Sequence, residues 1–257
     1  MGASSTGISI PVLGKTAFYN IGINISDKKN VLDTCNHFFM SDKPRTVFFL
    51  NAHCFNIAQK NQKYRNALNN SDLVLNDGIG IKLASYLAGI KIRENLNGTD
   101  LIPEILSLAA NNGKKVFFLG GMNGVAEKAS QITKDSIPEI DIAGCLSGYF
   151  SNKEENEVLE KVNNSGAELL VLGMGVPKQE LWASVNKEKL ENIKIIIAGG
   201  AILDFLSGRV KRAPLWMRKM NMEWVFRLIS EPVRLWKRYI IGNVLFFFHI
   251  TPFKKRV

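Results

Sequence analysis

The sequence predicts an α/β fold in which helices cover both faces of a largely parallel sheet. Short runs of β-branched and aromatic residues alternate with amphipathic stretches of helical length along most of the 257 residues, as in chains that wind strand, helix, strand. The apolar fraction of 46% and the charged fraction of 22% are ordinary for a globular protein. No internal repeat or low-complexity segment interrupts the alternation. The expected architecture is therefore Rossmann-like, with one substantial core.

Seven strands are expected, each a short apolar run bounded by turn residues. They are Ala17–Ile23, Thr46–Leu50, Leu73–Asn76, Lys115–Leu119, Ile140–Gly144, Leu169–Leu172 and Ile193–Ile197. Helical periodicity predicts the segments that connect them. These are Lys28–Phe39, Phe55–Leu68, Ile79–Leu87, Asp100–Asn111, Gly124–Asp135, Glu154–Asn163 and Lys178–Leu190. Because parallel strands need long crossover connections, helices between strands favour a parallel sheet.

The last part of the chain differs from the rest in its charge. Residues 207–257 hold twelve Lys and Arg against two acids, whereas residues 1–206 hold 21 basic and 21 acidic residues. Trp216, Trp224, Trp236 and three consecutive phenylalanines lie among the tail charges, a composition that suits the headgroup region of an anionic membrane. We therefore divide the chain into an α/β domain, residues 1–207, which carries the site, and a cationic amphipathic helical appendage, residues 208–257, which associates with the membrane.

Several classes of protein are disfavoured. Cys35, Cys54 and Cys145 form no CxxC pair, and their odd number argues against a disulfide framework and fits a reducing cytoplasm. No basic segment followed by an apolar one begins the chain, so no signal peptide is expected. The apolar run from Tyr239 to Ile250 is shorter than the ~20 residues of a spanning helix. The Leu, Ile and Met residues between the tail charges disfavour nucleic acid as a partner.

Polar and glycine-rich segments follow most of the predicted strands. They are Asn51-Ala52-His53, Asn76-Asp77-Gly78, Gly120-Gly121, Gly173-Met174-Gly175 and Ala198-Gly199-Gly200. The carboxyl ends of parallel strands meet at one edge of the sheet, where ligands of α/β proteins bind. Glycine-rich turns and helix N-termini bring backbone amides close to phosphates. The sequence therefore predicts a site for a phosphate-bearing ligand at this edge.

Asp77 is the candidate general base. It follows an apolar strand directly and precedes Gly78, which places a carboxylate at the edge where the ligand is expected. The alternative is an aspartate that caps the helix beginning at Ile79 or closes an Asx turn. The local sequence leaves both interpretations open.

Two further groups are candidates for ligand binding. Gln179 and Glu180 fall in the first turn of a predicted helix, where they could take a sugar hydroxyl or a nucleobase edge, or only stabilise the helix dipole. Arg227, Arg234 and Arg238 follow one another at intervals of seven and four residues in the tail. Guanidinium groups spaced in this way suit a diphosphate, because each can donate two hydrogen bonds. A solvated basic face is the alternative.

Cofactor and metal sites are not predicted. The turn Gly120-Gly121-x-x-Gly124 resembles half of a dinucleotide fingerprint but lacks the GxGxxG spacing. We interpret it as a tight turn with close helix–strand packing. His37, His53 and His249 have no ligand spacing to one another or to a cysteine, so no structural metal is expected.

Taken in order, the motifs resemble a known family. They are Asn51-Ala52-His53, Asn76-Asp77-Gly78-x-Gly80, Asn97-Gly98-Thr99-Asp100, Gly120-Gly121, Gly148-Tyr149-Phe150, Gly173-x-Gly175-x-Pro177-x-Gln179-Glu180, Gly199-Gly200-x-x-x-Asp204, Arg212-Ala213-Pro214-x-Trp216, Glu223-Trp224-x-x-Arg227 and Glu231-Pro232-x-Arg234. This set is similar to that of the WecG/TagA/CpsF family of bacterial glycosyltransferases, glycosyltransferase family 26. The resemblance covers the chain from about Tyr19 to Tyr239.

The resemblance implies an inverting, N-acetylmannosaminyltransferase-like enzyme that acts peripherally at the cytoplasmic face of the bacterial cell membrane. The expected donor is a UDP-sugar, UDP-N-acetylmannosamine in the best-known branch. The expected acceptor is an undecaprenyl-diphosphate-linked saccharide, in that branch N-acetylglucosamine. The product would serve the biosynthesis of a cell-surface polysaccharide or a teichoic-acid-type polymer. An inverting transfer needs a base for the acceptor hydroxyl.

Carried over residue by residue, the resemblance makes Asp77 the general base. The residues expected to bind substrate are Asn51, Asn76, Asn95, Gln179, Glu180, Arg212, Arg227, Arg234 and Arg238. The tail arginines would belong to an appendage that closes over the active site at the membrane. Two positions depart from the family pattern: Phe49 stands where many relatives have Thr, and Asn95 where many have Arg. Both bear on donor or acceptor preference.

Other functions stay open at this point. One is a peripheral membrane scaffold without activity, and another is a nucleotide-sugar oxidoreductase that uses the Gly120 turn. A nucleic-acid binder is the least favoured, and a homo-oligomer is left open. The departing UDP needs its developing charge stabilised. Since no DxD-type acidic pair lies on the glycine-rich edge, arginines and backbone amides are expected to do this rather than a divalent metal.

Overall fold

The computed structural model describes residues 13–251. Eight strands lie in this part of the chain: β1 (Lys15–Phe18), β2 (Ile21–Asn24), β3 (Arg45–Leu50), β4 (Leu73–Asn76), β5 (Lys115–Gly120), β6 (Asp141–Leu146), β7 (Leu169–Gly173) and β8 (Ile195–Ala198). The last six form one sheet in the order β4-β3-β8-β7-β5-β6, and every neighbouring pair is parallel. The prediction of a largely parallel sheet is confirmed.

Thirteen α-helices occur among the same residues. They are α1 (Lys28–Phe38), α2 (Ala52–Lys60), α3 (Gln62–Asn69), α4 (Ile79–Leu87), α5 (Gly98–Asn111), α6 (Val125–Ser136), α7 (Glu155–Asn164), α8 (Lys178–Asn186), α9 (Ile202–Leu206), α10 (Leu215–Lys219), α11 (Glu223–Ser230), α12 (Pro232–Trp236) and α13 (Gly242–Ile250). The strands of the sheet are thus joined by helical crossovers, as parallel pairing requires.

The core has two layers, one on each face of the sheet. Along β3, Val47 and Phe49 pack into one hydrophobic cluster while Phe48 and Leu50 pack into the other, because successive strand residues point to opposite faces. Helices α2, α3, α4, α7, α8 and α13 cover the face of Phe48, and α1, α5, α6 and α9 cover the face of Phe49. Helices on both faces were predicted, and this prediction is confirmed.

The helices that follow neighbouring central strands lie on opposite faces. Helix α2 follows β3 and α8 follows β7 on one face, while α9 follows β8, between them, on the other. Chain segments that leave adjacent strands in opposite directions open a crevice at the carboxyl edge of a sheet. The fold therefore places a crevice where the polar and glycine-rich segments were predicted to meet.

Two predicted elements are wrong in detail. The single strand Ala17–Ile23 is an antiparallel hairpin, β1 and β2, which turns at Tyr19 with a φ of 53°. The single helix Phe55–Leu68 is two helices separated at Asn61, whose side chain accepts a hydrogen bond from the backbone N–H of Tyr64 at 3.0 Å and so caps α3. Both differences come from local turns that the apolar pattern does not reveal.

The turn after β5 is shaped by close packing. A Cβ on Gly120 would lie 2.5 Å from the backbone of Gly173, at the end of the neighbouring strand β7. The next backbone N–H, that of Gly121, donates to the carbonyl of Gly173 at 3.0 Å. Glycine is needed here because two backbones approach each other, as in the tight, closely packed turn that the sequence predicted.

The C-terminal segment returns to the body of the protein. Its last helix, α13, packs on α2, where the Phe55 and Phe246 rings meet edge to face with centroids 5.4 Å apart. Asn56 Nδ2 donates to the Gly242 carbonyl at 2.7 Å, and the Tyr19 hydroxyl donates to the Ile250 carbonyl at 2.9 Å. Among residues 13–251, no helix is both long and apolar enough to cross a membrane.

Candidate active site

A large open cavity of about 1360 Å³ lies at the carboxyl edge of the sheet. Its floor is formed by the segments that follow β3, β4, β5, β7 and β8, and its outer wall by α11, α12 and α13 together with the π-helical turn Lys237–Ile241. Seven of the predicted site residues line it: Asn51, Asp77, Gln179, Glu180, Arg227, Arg234 and Arg238. The cavity is thus shared between the α/β body and the cationic tail.

Asn51 and Asp77 meet because of the register of two strands. Leu50 of β3 pairs with Asn76 of β4, so the residues that follow each strand lie side by side. The Asn51 Nδ2 group donates to Asp77 Oδ2 at 3.1 Å. The other end of the same amide caps α2, where Asn51 Oδ1 accepts from the backbone N–H of Cys54 at 3.0 Å. Because the cap requires the oxygen, the N–H₂ group is left to face Asp77.

The environment of Asp77 raises its proton affinity. Burial raises the pKa of the Asp77 carboxyl above its usual value, and the hydrogen bond from Asn51 opposes this rise. The charges of Arg238 and Arg227 also lower the Asp77 pKa, while that of Glu223 raises it. A carboxylate with a raised pKa is a stronger base once ionised, which is the property that proton abstraction from a hydroxyl requires.

Gln179 and Glu180 form a buried polar pair at the start of α8. Each is only 1% exposed, and Gln179 Nε2 donates to Glu180 Oε1 at 2.8 Å. The backbone N–H of Gly200 donates to Gln179 Oε1 at 3.0 Å and fixes the orientation of that amide. Glu180 Oε2 has no hydrogen-bond partner among the described residues. Burial raises the pKa of Glu180 to about 7, against the opposing hydrogen bond from Gln179.

The three tail arginines line the outer wall of the cavity. The Nε atoms of Arg227 and Arg238 are buried and have no hydrogen-bond partner among residues 13–251. The Arg227 guanidinium lies over the Phe205 ring, 5.3 Å from its centroid, and Arg234 forms an ion pair with Glu231. Buried donors without partners are costly unless a ligand accepts from them, so this wall is suited to an anion.

Arg212, which was predicted to bind substrate, does not line the cavity. Its Nε and Nη2 atoms donate to the two carboxylate oxygens of Glu223 at 3.0 and 3.1 Å. Its Nη1 atom donates to Asp100 Oδ1 at 2.7 Å. Because two carboxylates already engage this guanidinium, Arg212 joins the start of α11 to the first turn of α5 instead of facing the cavity.

Asn76 and Asn95 also lie behind the site and do not line the cavity. Asn76 is 1% exposed, and its Nδ2 group donates to the carbonyl of Glu94 at 2.8 Å. Asn95 Oδ1 accepts from the backbone N–H of Gly78 at 2.8 Å. These amides hold the loop before α5 against the turn that carries Asp77, so the geometry supports a positioning role rather than the predicted contact with substrate.

Several charged residues of the cavity are absent from the predicted site residues, among them Lys178 and Glu223. Lys178 lines it beside Gln179, and its Nζ atom donates to the Gly148 carbonyl at 2.8 Å. Glu223 lines the opposite wall. Lys178 shares the helix turn of the predicted pair, which was a usable signal. Glu223 belongs to the motif Glu223-Trp224-x-x-Arg227, but its place in the cavity depends on how the tail folds over the body, which the sequence pattern does not predict.

His53 also lines the cavity, as its position after β3 suggested. Burial, and secondarily the charge of Arg238, lowers the pKa of His53 to about 4. The imidazole is therefore neutral near pH 7. In the part of the chain from 13 to 251, no three His, Cys, Asp or Glu side chains cluster in a way that could hold a metal ion.

A parallel α/β sheet with a buried carboxylate and a wall of arginines at its switch-point cavity is an arrangement in which enzymes of this fold class commonly bind phosphate-bearing ligands. Residues 16–256 match the family model described as glycosyl transferase, WecG/TagA/CpsF family. The chain belongs to this family and is a glycosyltransferase.

Curated relatives support the same assignment. A protein of Bacillus spizizenii is 32% identical over 183 residues, which cover 71% of this chain and 70% of the relative. A protein of Staphylococcus aureus is 29% identical over 233 residues, 88% of each chain. Both are named N-acetylglucosaminyldiphosphoundecaprenol N-acetyl-beta-D-mannosaminyltransferase.

Proposed function

We propose that this glycosyltransferase moves N-acetylmannosamine, or a related hexose, from a UDP-sugar to an undecaprenyl-diphosphate-linked saccharide, with inversion at the anomeric carbon. The observation that carries the proposal is the Asn51–Asp77 pair, which faces the wall of Arg227, Arg234 and Arg238 across one cavity. The names of the two relatives supply the sugar and the acceptor.

Asp77 acts as the general base in this proposal. The acceptor hydroxyl gives its proton to the Asp77 carboxylate while its oxygen forms a bond to the anomeric carbon of the donor sugar. The bond from that carbon to the diphosphate oxygen breaks, and UDP leaves with the electron pair. Asn51 keeps the carboxylate oriented through its 3.1 Å hydrogen bond.

The leaving diphosphate is stabilised by the tail. The unpaired Nε donors of Arg227 and Arg238 point to a group that accepts hydrogen bonds, and phosphate oxygens match guanidinium geometry. Lys237, in the same cavity wall, adds positive charge. Stabilisation of the charge that develops on a leaving group is commonly a large part of catalysis.

Gln179 and Glu180 bind the transferred sugar. Because the pKa of Glu180 is raised to about 7, the carboxyl holds a proton over part of the neutral range and can donate from Oε2 to a sugar hydroxyl or an amide carbonyl. Its Oε1 is already held by Gln179. A buried, pre-oriented pair of this kind favours substrates that satisfy its free hydrogen-bonding group.

The protein works peripherally at the cytoplasmic membrane face. Residues 208–257 form the associating appendage, which carries exposed apolar side chains at Trp216, Ile229, Val233 and Trp236. Basic residues interspersed with such side chains attract an anionic bilayer. The lipid-linked acceptor is itself held in the membrane, so the cavity and the appendage must face the same surface.

The decisive experiment measures release of UDP and formation of the disaccharide. The protein is mixed with UDP-N-acetylmannosamine and a short-chain prenyl-diphosphate-N-acetylglucosamine. We expect transfer by the parent protein and a loss of about 10²–10⁴ in rate for Asp77→Asn, because the base is removed while the shape is kept. The control is Asp141→Asn, because Asp141 lies at the amino end of β6 and outside the cavity. Absence of transfer with every UDP-hexose tested would refute the function, and turnover of Asp77→Asn within threefold of the parent would refute the base.

A further inference from the structure

Helix α4 exposes a continuous apolar stripe. Ile79, Leu83, Tyr86 and Leu87 are 44%, 41%, 80% and 54% exposed, and their spacing of four, three and one residues places them on one side of the helix. The opposite side, which includes Ile81 and Ala84, is buried in the core. Contiguous apolar surface on an exposed helix is a common sign of a binding surface. We call these four residues the α4 stripe.

The α4 stripe begins inside the catalytic cavity. Ile79 and Leu83 line the cavity together with Asp77, which precedes Ile79 by two residues. From Ile79 to Leu87 the helix rises ~12 Å, so the stripe leads from the base to the outside of the cavity. Tyr86 and Leu87 do not line the cavity and form the outer end of this path.

The tail supplies a second apolar side to the same path. A Cβ on Gly80 would lie 3.5 Å from the Phe246 ring, so the first turn of α4 packs directly against α13. Phe247 lines the cavity and is 48% exposed. Arg234, which is not one of the arginines assigned above to the leaving UDP, lines the cavity as well. An acceptor diphosphate held by Arg234 would therefore have an apolar channel mouth beside it.

We propose that the α4 stripe and Phe247 bind the first isoprene units of the prenyl chain of the acceptor. The inference rests on the proposed function, because it requires an acceptor whose diphosphate carries such a chain. An isoprenoid matches the site in being apolar, narrow and joined to an anion. A bilayer surface or a second copy of the protein would cover Tyr86 and Leu87 but would leave Ile79 and Leu83, within the cavity, unmatched.

The test measures binding without turnover. Calorimetry of the full chain, free of detergent and vesicles, compares the Kd of farnesyl diphosphate with that of methyl diphosphate. We expect the parent to favour farnesyl diphosphate. We expect Leu83→Ser/Leu87→Ser to reduce that preference about tenfold, because two apolar side chains no longer shield the farnesyl group from water. Val185→Ser/Ile132→Ser, exposed apolar residues on α8 and α6 outside the cavity, should keep the preference. If the first variant misfolds, Tyr86→Ser/Leu87→Ser replaces it.

The outcomes are separable. An equal Kd of the parent for both ligands, or a preference that survives the serine substitutions, would overturn the proposal. A change in vesicle binding or in sedimentation of the variant, with the farnesyl preference intact, would also overturn it and assign the stripe to the bilayer or to a second copy. Because binding is read without transfer, an inactive protein would count against the proposed function and not against the stripe.

Discussion

At the scale of single residues, the side-chain amide of Asn51 makes two hydrogen bonds with different consequences. Its oxygen caps α2 and its nitrogen orients Asp77. The sequence placed both residues at strand ends, and the family resemblance assigned both to the site. Their contact depends on the pairing of Leu50 with Asn76, which an apolar pattern does not encode. The contact of Arg212 with Asp100 was equally beyond the sequence pattern, because the two residues are 112 positions apart.

The pH dependence of transfer should respond to charges around Asp77. The base must be ionised, so kcat/KM rises with pH through the pKa of Asp77. Arg238 lowers that pKa and Glu223 raises it. We therefore expect Arg238→Ala to move the rise to higher pH and Glu223→Gln to move it to lower pH, as measured by UDP release across the acidic range. Shifts in the same direction, or none, would remove Asp77 from the role of the titrating base.

The stability of the protein should report on Glu180. Its pKa is raised from 4.5 to about 7 in the folded protein, so the folded state keeps a proton that the unfolded chain releases between these values. The free energy of unfolding therefore falls as pH rises through this window, by about 3 kcal/mol in total. We expect Glu180→Gln to gain that amount over the parent between pH 4 and pH 8 in urea titrations.

Glu157→Gln, on the exposed side of α7, is the control for this measurement. The glutamine at position 180 keeps an oxygen for the Gln179 amide, so packing is preserved. A stability difference between variant and parent that does not change with pH would show that Glu180 does not hold its proton in the folded protein.

At the scale of elements, the tail is a chain of short helices folded over the cavity. The break at Pro232 was predictable, and α11 ends at Ser230 while α12 begins at Pro232. The break at Asn61 was not, because helical periodicity continues across it. The hairpin at Tyr19-Asn20 was missed because this turn lacks the glycine that usually marks a two-residue loop. The periodicity of apolar residues thus predicted which helices exist. The breaks within them depend on caps and turns, which this periodicity does not reveal.

The tail arginines should affect catalysis apart from any membrane. Charge-assisted hydrogen bonds to a phosphate contribute about 1.5–3 kcal/mol each. We expect Arg227→Ala and Arg234→Ala each to lose at least about tenfold in kcat/KM with a water-soluble, short-chain acceptor and no vesicles. Lys219→Ala, in the tail but outside the cavity, should match the parent. If Arg227→Ala and Arg234→Ala both keep full activity in solution, the arginines serve only to anchor the protein.

At the scale of the whole molecule, the candidate site is composite. The body supplies Asp77 and the Gln179–Glu180 pair, and the tail supplies the arginines. The uneven distribution of charge along the sequence showed that the tail differs in composition from the body. It did not show that α13 packs into the core through Phe246, which is 2% exposed. Deletion of residues 208–257 would therefore expose core surface, and substitutions are the better probe of membrane attachment.

Attachment to anionic vesicles should depend on exposed tail lysines. Each basic residue near such a surface contributes about 1 kcal/mol, and added salt screens that attraction. We expect Lys211→Ser/Lys219→Ser to weaken vesicle binding about tenfold in co-sedimentation at low salt, and the parent to lose binding as salt rises. Lys128→Ser/Lys134→Ser, on α6 of the body, is the matched control. Equal losses for both pairs would mean that the tail has no special part in attachment.

Tail residues 207–251, which the structure describes, hold nine Lys and Arg against two acids, whereas the charges of the body balance. The molecule is therefore electrically polarised, with its positive charge concentrated in the tail. A net positive particle is only drawn toward an anionic surface, but a polarised one is turned as well. Within a Debye length, ~8 Å at physiological salt, the surface potential exerts a torque that brings the tail around before contact. Because the cavity opens between tail and body, such a rotation would turn the cavity toward the bilayer to which we propose that the tail binds.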